Sequence, residues 1–180
     1  MPDKAIEQRV RKRRGEKGLI ALDRTLLHAP PVADGWNSFL GAIRTGTSLS
    51  AGVRETAICR VAVLNKAWYE WASHAPILAT APDTTDGQVA AVRASPPRLP
   101  QRDVLGPLLS AVLAYTDAMT LDVQVPDEVF AALKELFSER EVVEITATVA
   151  AYNCVSRVLV ALDVGEKNGG GEAGEGGAVD

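Results

Sequence analysis

The chain holds only two histidines, His28 and His74, and one of them sits in a chemically suggestive place. In AWYEWASHAP, His74 follows Glu70 by four residues, so on a helix the carboxyl and the imidazole share a face and can meet. Glu55 lies fifteen residues before Glu70, on what should be the preceding helix. Two antiparallel helices would bring it to the same pocket. Trp68, Tyr69 and Trp71 surround Glu70 and make up a third of the nine aromatics in the chain. Aromatic walls lower the local dielectric and raise a carboxyl pKa, as general acid–base chemistry near neutral pH requires. An imidazole titrates close to that range without help. His74, Glu70 and Glu55 are therefore the candidate catalytic residues. The same spacing also suits an ordinary surface pair worth tenths of a kcal/mol. Two further alternatives are a metal site of one His and two carboxylates and a helical oligomer with no catalytic role.

An acid substrate would need a cation, and guanidinium groups pair with carboxylates bidentately. Arg54, Arg60 and Arg157 are the candidates, with Trp36, Trp68, Tyr69, Trp71 and Tyr152 as pocket walls. Arg60 and the other two arginines serve equally well as partners in structural salt bridges. The two cysteines, Cys59 and Cys154, read as small core residues, since no CxxC occurs and a disulfide scaffold needs more. Thiolate zinc sites are excluded on the same count. His28, in LLHAPP, caps or packs against the end of a short helix.

These residues must be positioned by helices. PVADGWNSFLGAIRTG places Val32, Trp36, Phe39, Leu40 and Ile43 on one helical face, ended by Gly46 and Thr47. Ser50 caps the following helix, and AWYEWASHAPILAT carries the Glu–His pair with Pro76 late in it. Asp83 or Thr84 starts a short helix closed by Pro96 and Pro97. Asp103 caps VLGPLLSAVLAYTDAMTLD, and Pro126 sits in the first turn of DEVFAALKELF. Ser138 and Glu141 form a capping box that opens a long helix with apolar residues at 142, 145, 149, 152, 155 and 159. The fold class is all-α, an orthogonal bundle of about seven or eight helices. No Gly-rich phosphate loop occurs.

Charge is uneven. Residues 1–17 carry a net +4 and residues 18–163 a net −5, which argues against nucleic acid as a partner. The organisation expected is a basic segment at 1–17, read as solvated, a helical domain at 18–164, and a disordered Gly-rich tail at 165–180. No apolar run approaches the roughly 20 residues of a membrane span, and the start lacks a secretory signal. The expectation is a cytoplasmic protein acting on a small molecule, with no membrane partner.

From Leu26 to about Leu162 the chain resembles the carboxymuconolactone decarboxylase/AhpD-like superfamily. The resemblance rests on VRETAICRVAVLNKAWYEWASHAPIL, on the upstream LLHAPPVADGWNSFLGAIRTGTSLS and on the downstream AAYNCVSRVLVAL. The redox branch of that superfamily carries Glu-x11-Cys-x2-Cys-x3-His. Laid on this chain, that pattern falls on Glu55, Ala67, Glu70 and His74, so both thiol positions hold other residues. Without the dithiol no thiolate attacks a peroxide, and peroxidase chemistry is disfavoured. The decarboxylase branch resembles Glu-x3-His here, matched by Glu70 and His74. That resemblance implies a compact helical subunit assembled as trimers or hexamers, with no metal or organic cofactor. It implies a carbon–carbon lyase acting on a small carboxylated lactone or another enolisable substrate. His74 then serves as proton donor or shuttle, with Glu70 orienting it or acting as its partner acid–base. Glu55 sits behind them or shares the proton.

Overall fold

A computed structural model describes residues 4–166. Of the Gly-rich tail expected at 165–180, residues 167–180 lie outside the described residues. Nine α-helices and two 3-10 turns follow one another, and no strand occurs among the described residues. The helices are α1 (Lys4–Arg14), α2 (Ala21–Leu26), α3 (Pro30–Thr45), α4 (Ala51–Leu64) and α5 (Trp68–Ala79). They continue with α6 (Asp86–Ala94), α7 (Arg102–Leu121), α8 (Asp127–Leu136) and α9 (Glu139–Ala161). The turns are Gly15–Lys17 and Val164–Glu166.

α4 is the axis of the molecule. Ten consecutive residues from 53 to 62, save Arg54, are buried, because α5, α6, α7 and α9 all pack on it. A helix apolar all round is stable only when covered all round. Its start is fixed twice. The Ser50 hydroxyl accepts from the Val53 N–H at 3.2 Å, and the Asp83 carboxylate accepts from the Gly52 N–H at 2.9 Å. A Cβ at Gly52 would lie 2.7 Å from that carboxylate, so the close approach requires glycine.

Local signals set most of the other boundaries. Ser138 and Glu141 cap α9 reciprocally. Thr85 and Gln88 do the same for α6, one residue later than the expected Thr84 start. Pro126 precedes the first turn of α8 rather than lying in it. Asp103 lies inside the first turn of α7 and caps nothing, since the helix already starts at Arg102. Gly106, at φ 70°, breaks α7 just before Pro107, where a proline ring cannot continue the preceding turn.

α3 departs from its expected face. Ala33, Leu40 and Ile43 are buried, while Val32 and Phe39 are about half exposed, at 54% and 50%. The basic start also departs from a solvated segment. Ile6 and Val10, four apart, are buried where α1 packs on α3. Arg14 forks onto Asp23 with two contacts of 2.7 Å, and Asp23 is itself buried. α7 and α9 are each long and apolar enough to cross a membrane by length and composition. Their apolar residues are largely used up in packing on α4 and on each other.

Candidate active site

α5 points Glu70, Ser73, His74 and Ile77 along one face, at offsets of 0, 3, 4 and 7. That face forms part of a cavity of about 310 Å³. α3 supplies Trp36, Leu40 and Arg44 to the same cavity, and α9 supplies Tyr152, Val155 and Leu159. Both triplets follow helical spacing. The 3-10 turn and the end of α1 complete the wall with Arg13, Arg14 and Lys17.

Glu70 and His74 do not pair with each other; each is held by another helix. The His74 Nδ1 lies 2.6 Å from Glu55 Oε2 on α4. The Tyr152 hydroxyl lies 3.3 Å from His74 Nε2, and the two rings meet edge-on with centroids 5.1 Å apart. Glu55 also accepts from Arg54 Nε at 3.2 Å. Burial would raise the Glu55 carboxyl, but the hydrogen bond and charge of His74, helped by Arg54, outweigh it and hold Glu55 below its ordinary value. Burial pushes the His74 imidazole down, against the opposing pull of Glu55. The two directions agree on one assignment at neutral pH: an ionised Glu55 and a neutral imidazole. With Glu55 accepting, Nδ1 carries the proton and Nε2 presents its lone pair, a tautomer assigned from this network.

Glu70 is the opposite case. It is 1% exposed, and burial drives its carboxyl well above the usual carboxylate range, only partly offset by Ser156. The Ser156 hydroxyl donates to Oε2 at 3.0 Å. Oε1 has no partner among the described residues. Burial disfavours its charged form, and the unpartnered Oε1 is where its proton would sit. Ser156 follows Tyr152 by four residues on α9, so a lone hydroxyl inside a buried helical face was its signal in the sequence.

The remaining candidates separate. Trp36, Tyr69 and Tyr152 line the cavity. Trp68 and Trp71 are half-buried outside it, and Trp71 lies under the Arg93 guanidinium at 5.6 Å. Arg54 is spent on Glu55. Arg60 faces the other side of α4, where it forks onto Asp117 at 2.5 and 2.9 Å and donates to two backbone carbonyls. It binds no substrate there. Arg157 is exposed and bonds Asn153. The arginines that line the cavity are Arg13, Arg14 and Arg44, none of them singled out as a site residue in the sequence. His28 is exposed after α2. Cys59 is buried and burial pushes its thiol up, so it stays a core thiol. Cys154 is exposed and is no core residue. No group of three His, Cys, Asp or Glu among the described residues is placed to hold a metal ion.

No protein-family model matches this sequence, and no curated protein matches it significantly. Solved structures do match. An uncharacterised peroxidase-related protein of Ralstonia eutropha JMP134, described as an alkylhydroperoxidase AhpD core, superposes with a TM-score of 0.69. It is 20% identical, and the match covers 87% of this chain and 82% of that one. The chain has an AhpD-like fold. A second neighbour, a protein of unknown function from Agrobacterium tumefaciens linked to AhpD antioxidant defence, gives a TM-score of 0.68. It is 18% identical, over 77% of this chain and 92% of that one.

Proposed function

We propose that this protein is an acid–base enzyme that moves protons on a small unsaturated or enolisable acid, with decarboxylation as its reaction. One observation carries the reading: Glu70, whose charged form burial disfavours and whose Oε1 is unpartnered, lines the same cavity as a neutral His74. An acid and a base whose environments push their pKa values apart are what such chemistry uses.

In a β,γ-unsaturated acid, the bond between the carboxylate and the α carbon breaks as CO2 leaves. Its electron pair becomes the new α,β double bond, and the old double bond's pair moves to the γ carbon. Glu70 Oε1 delivers a proton there and is left as a carboxylate, which water entering the cavity reprotonates. If CO2 is retained, His74 Nε2 takes the α proton and Glu70 returns one at the γ carbon, an isomerisation. In both, Glu55 fixes the imidazole tautomer and stabilises the imidazolium when it forms. The resemblance to the decarboxylase branch favours the first route. The neighbours' descriptions suggest antioxidant or peroxidase work, but Ala67 and Glu70 stand at the thiol positions, and Cys59 and Cys154 do not line the cavity.

The deciding experiment is turnover of a β,γ-unsaturated acid in deuterated water by the wild type, Glu70→Gln and His74→Ala. Deuterium at the γ carbon, lost in Glu70→Gln, supports the reading; full turnover in both variants refutes it. We also place the enzyme in the cytoplasm as a homo-oligomer, a trimer or hexamer. Val32 and Phe39 stand exposed seven residues apart on α3, a helix that also walls the site. Sedimentation of the wild type and of Phe39→Glu checks the assembly.

A further inference from the structure

Four cations surround the cavity, and they are unequally compensated. Arg14 is committed to Asp23 by its bidentate contact. Arg13 donates its Nε–H to Asn37 and keeps its guanidinium 3.9 Å from the same Asp23. Arg44 and Lys17 make no hydrogen bond or ion pair with any described residue. Asp23 is thus the one carboxylate paired with any of these four cations among the described residues, and burial disfavours the charged form of Glu70. A half-buried guanidinium without a partner is costly, and a planar carboxylate is the ligand its fork fits. The same cavity is also lined by the apolar Trp36, Leu40, Ile77 and Val155. A volume of about 310 Å³ lies at the small end of ligand pockets.

The cations also belong to two separate pieces of the fold. Arg13 and Lys17 come from α1 and the turn after it; Arg44 comes from α3. α1 is held by two buried apolar residues, by Arg14 on Asp23, and by an exposed pair, Arg9 with Asp34 at 2.6 Å. The charge of Arg44 and that of Arg14 both bear on Arg13, so the closed wall carries like-charge repulsion.

We propose that a compact aromatic or cyclic organic acid binds here with its carboxylate gripped jointly by Arg44, Arg13 and Lys17, so that residues 4–17 are a ligand-stabilised wall of the site. The acid's flat body lies against Trp36 and Leu40, and its far end reaches Glu70 and His74. Anion binding removes the repulsion that loosens α1, and by linkage the ligand and the docked helix favour each other. This deepens the catalytic reading by naming the substrate class and its anchor, but it is read by binding alone.

The test uses the full chain with benzoate and 2-naphthoate, each against its carboxamide, by calorimetry. In parallel, trypsin is used to cut within residues 9–17, whose helical backbone must open before a protease can take it, as when α1 undocks. An acid should bind at least about tenfold more tightly than its amide, since a charge-assisted bidentate contact is worth that much or more. It should also slow cleavage in that segment, which the amide should not. Arg44→Met should bring the acid down to the level of the amide and remove the protection, while Arg44→Lys should keep part of both. Equal affinity for acid and amide, no binding of either acid at millimolar concentration, or an unchanged preference in Arg44→Met overturns the proposal. Binding without protection of residues 9–17 overturns the role of α1. If the Glu70 and His74 variants keep full turnover while the acid preference stands, it is the catalytic reading that has failed.

Discussion

α4 presents two buried charged residues five positions apart, Glu55 and Arg60, and they lead opposite lives. Arg60 is 1% exposed and four of its five N–H donors are used, on both oxygens of Asp117 and on the carbonyls of Val92 and Ser95. Asp117 accepts once more, from the Arg98 N–H at 2.8 Å. Both charges of that cluster are buried and paired with each other. Around Glu55 the network stays open: the Tyr152 contact to His74 is long at 3.3 Å, and Glu70 Oε1 is unpartnered. Saturated buried charge ties α4, α6 and α7 together; unsaturated charge beside a cavity is available for chemistry.

The largest expected effect tests the closed side. Asp117→Ala leaves Arg60 buried and unpaired, which should destabilise the fold by about 3–5 kcal/mol. Denaturant unfolding checks it, and a loss below 1 kcal/mol would erase the contrast. On the open side, Glu70→Gln should cut turnover about 100-fold or more while leaving the melting temperature equal or higher. The amide matches the neutral acid in shape but has no proton to give. If Glu70→Gln instead unfolds the protein, Glu70 belongs with Arg60 as a structural group. A smaller effect is expected at Gly165, whose φ is 76° and where an added Cβ would lie 2.6 Å from the Tyr69 ring. Gly165→Ala should cost about 1–2 kcal/mol and weaken ligand binding, since Tyr69 walls the cavity. The smallest effect is a slope. Glu70 has its folded pKa raised above the ordinary value of 4.5, so its contribution is complete below that pH. It is then lost as pH rises through the folded value. Wild type should therefore lose stability relative to Glu70→Gln as pH increases from about 4.5. Glu55, held below 4.5, has the reverse sign, with a contribution that is lost on acidification. Melting curves across pH 4–9 for both chains separate the two signs.

This contrast also shows what the sequence could convey. Caps at Ser50 and Ser138, the helical periods and the all-α class were legible because they are local. Glu55, Glu70 and His74 were legible as a set, and their pairing was not. An i, i+4 spacing names neighbours on one helix but not which other helix reaches each, and here α4 and α9 divide them. Arg60 was misplaced for a related reason. α4 is apolar on nearly every side, so no polar face indicates which way a given side chain points. Arg44 was missed because Val32, Trp36, Phe39, Leu40 and Ile43 were read as one buried stripe, whereas Trp36 and Leu40 turn to the cavity with Arg44, and Val32 and Phe39 are exposed. The role of α1 was hidden by its charge, since six of its eleven residues are basic and only Ile6 and Val10 anchor it.

α9 contributes Tyr152 and Ser156 across 78 and 86 residues of chain to His74 and Glu70, whereas Glu55 meets His74 across only 19. Short loops close cheaply and early, and distant segments arrive late. The α4–α5 hairpin should therefore form with its Glu55–His74 contact before the acid half of the site exists. In refolding, most helical signal should return ahead of ligand binding, and Ser156→Ala should leave the folding rate nearly unchanged while Ala57→Gly slows it. The reactive pair is thus assembled in two stages, with the base in place first and the acid last.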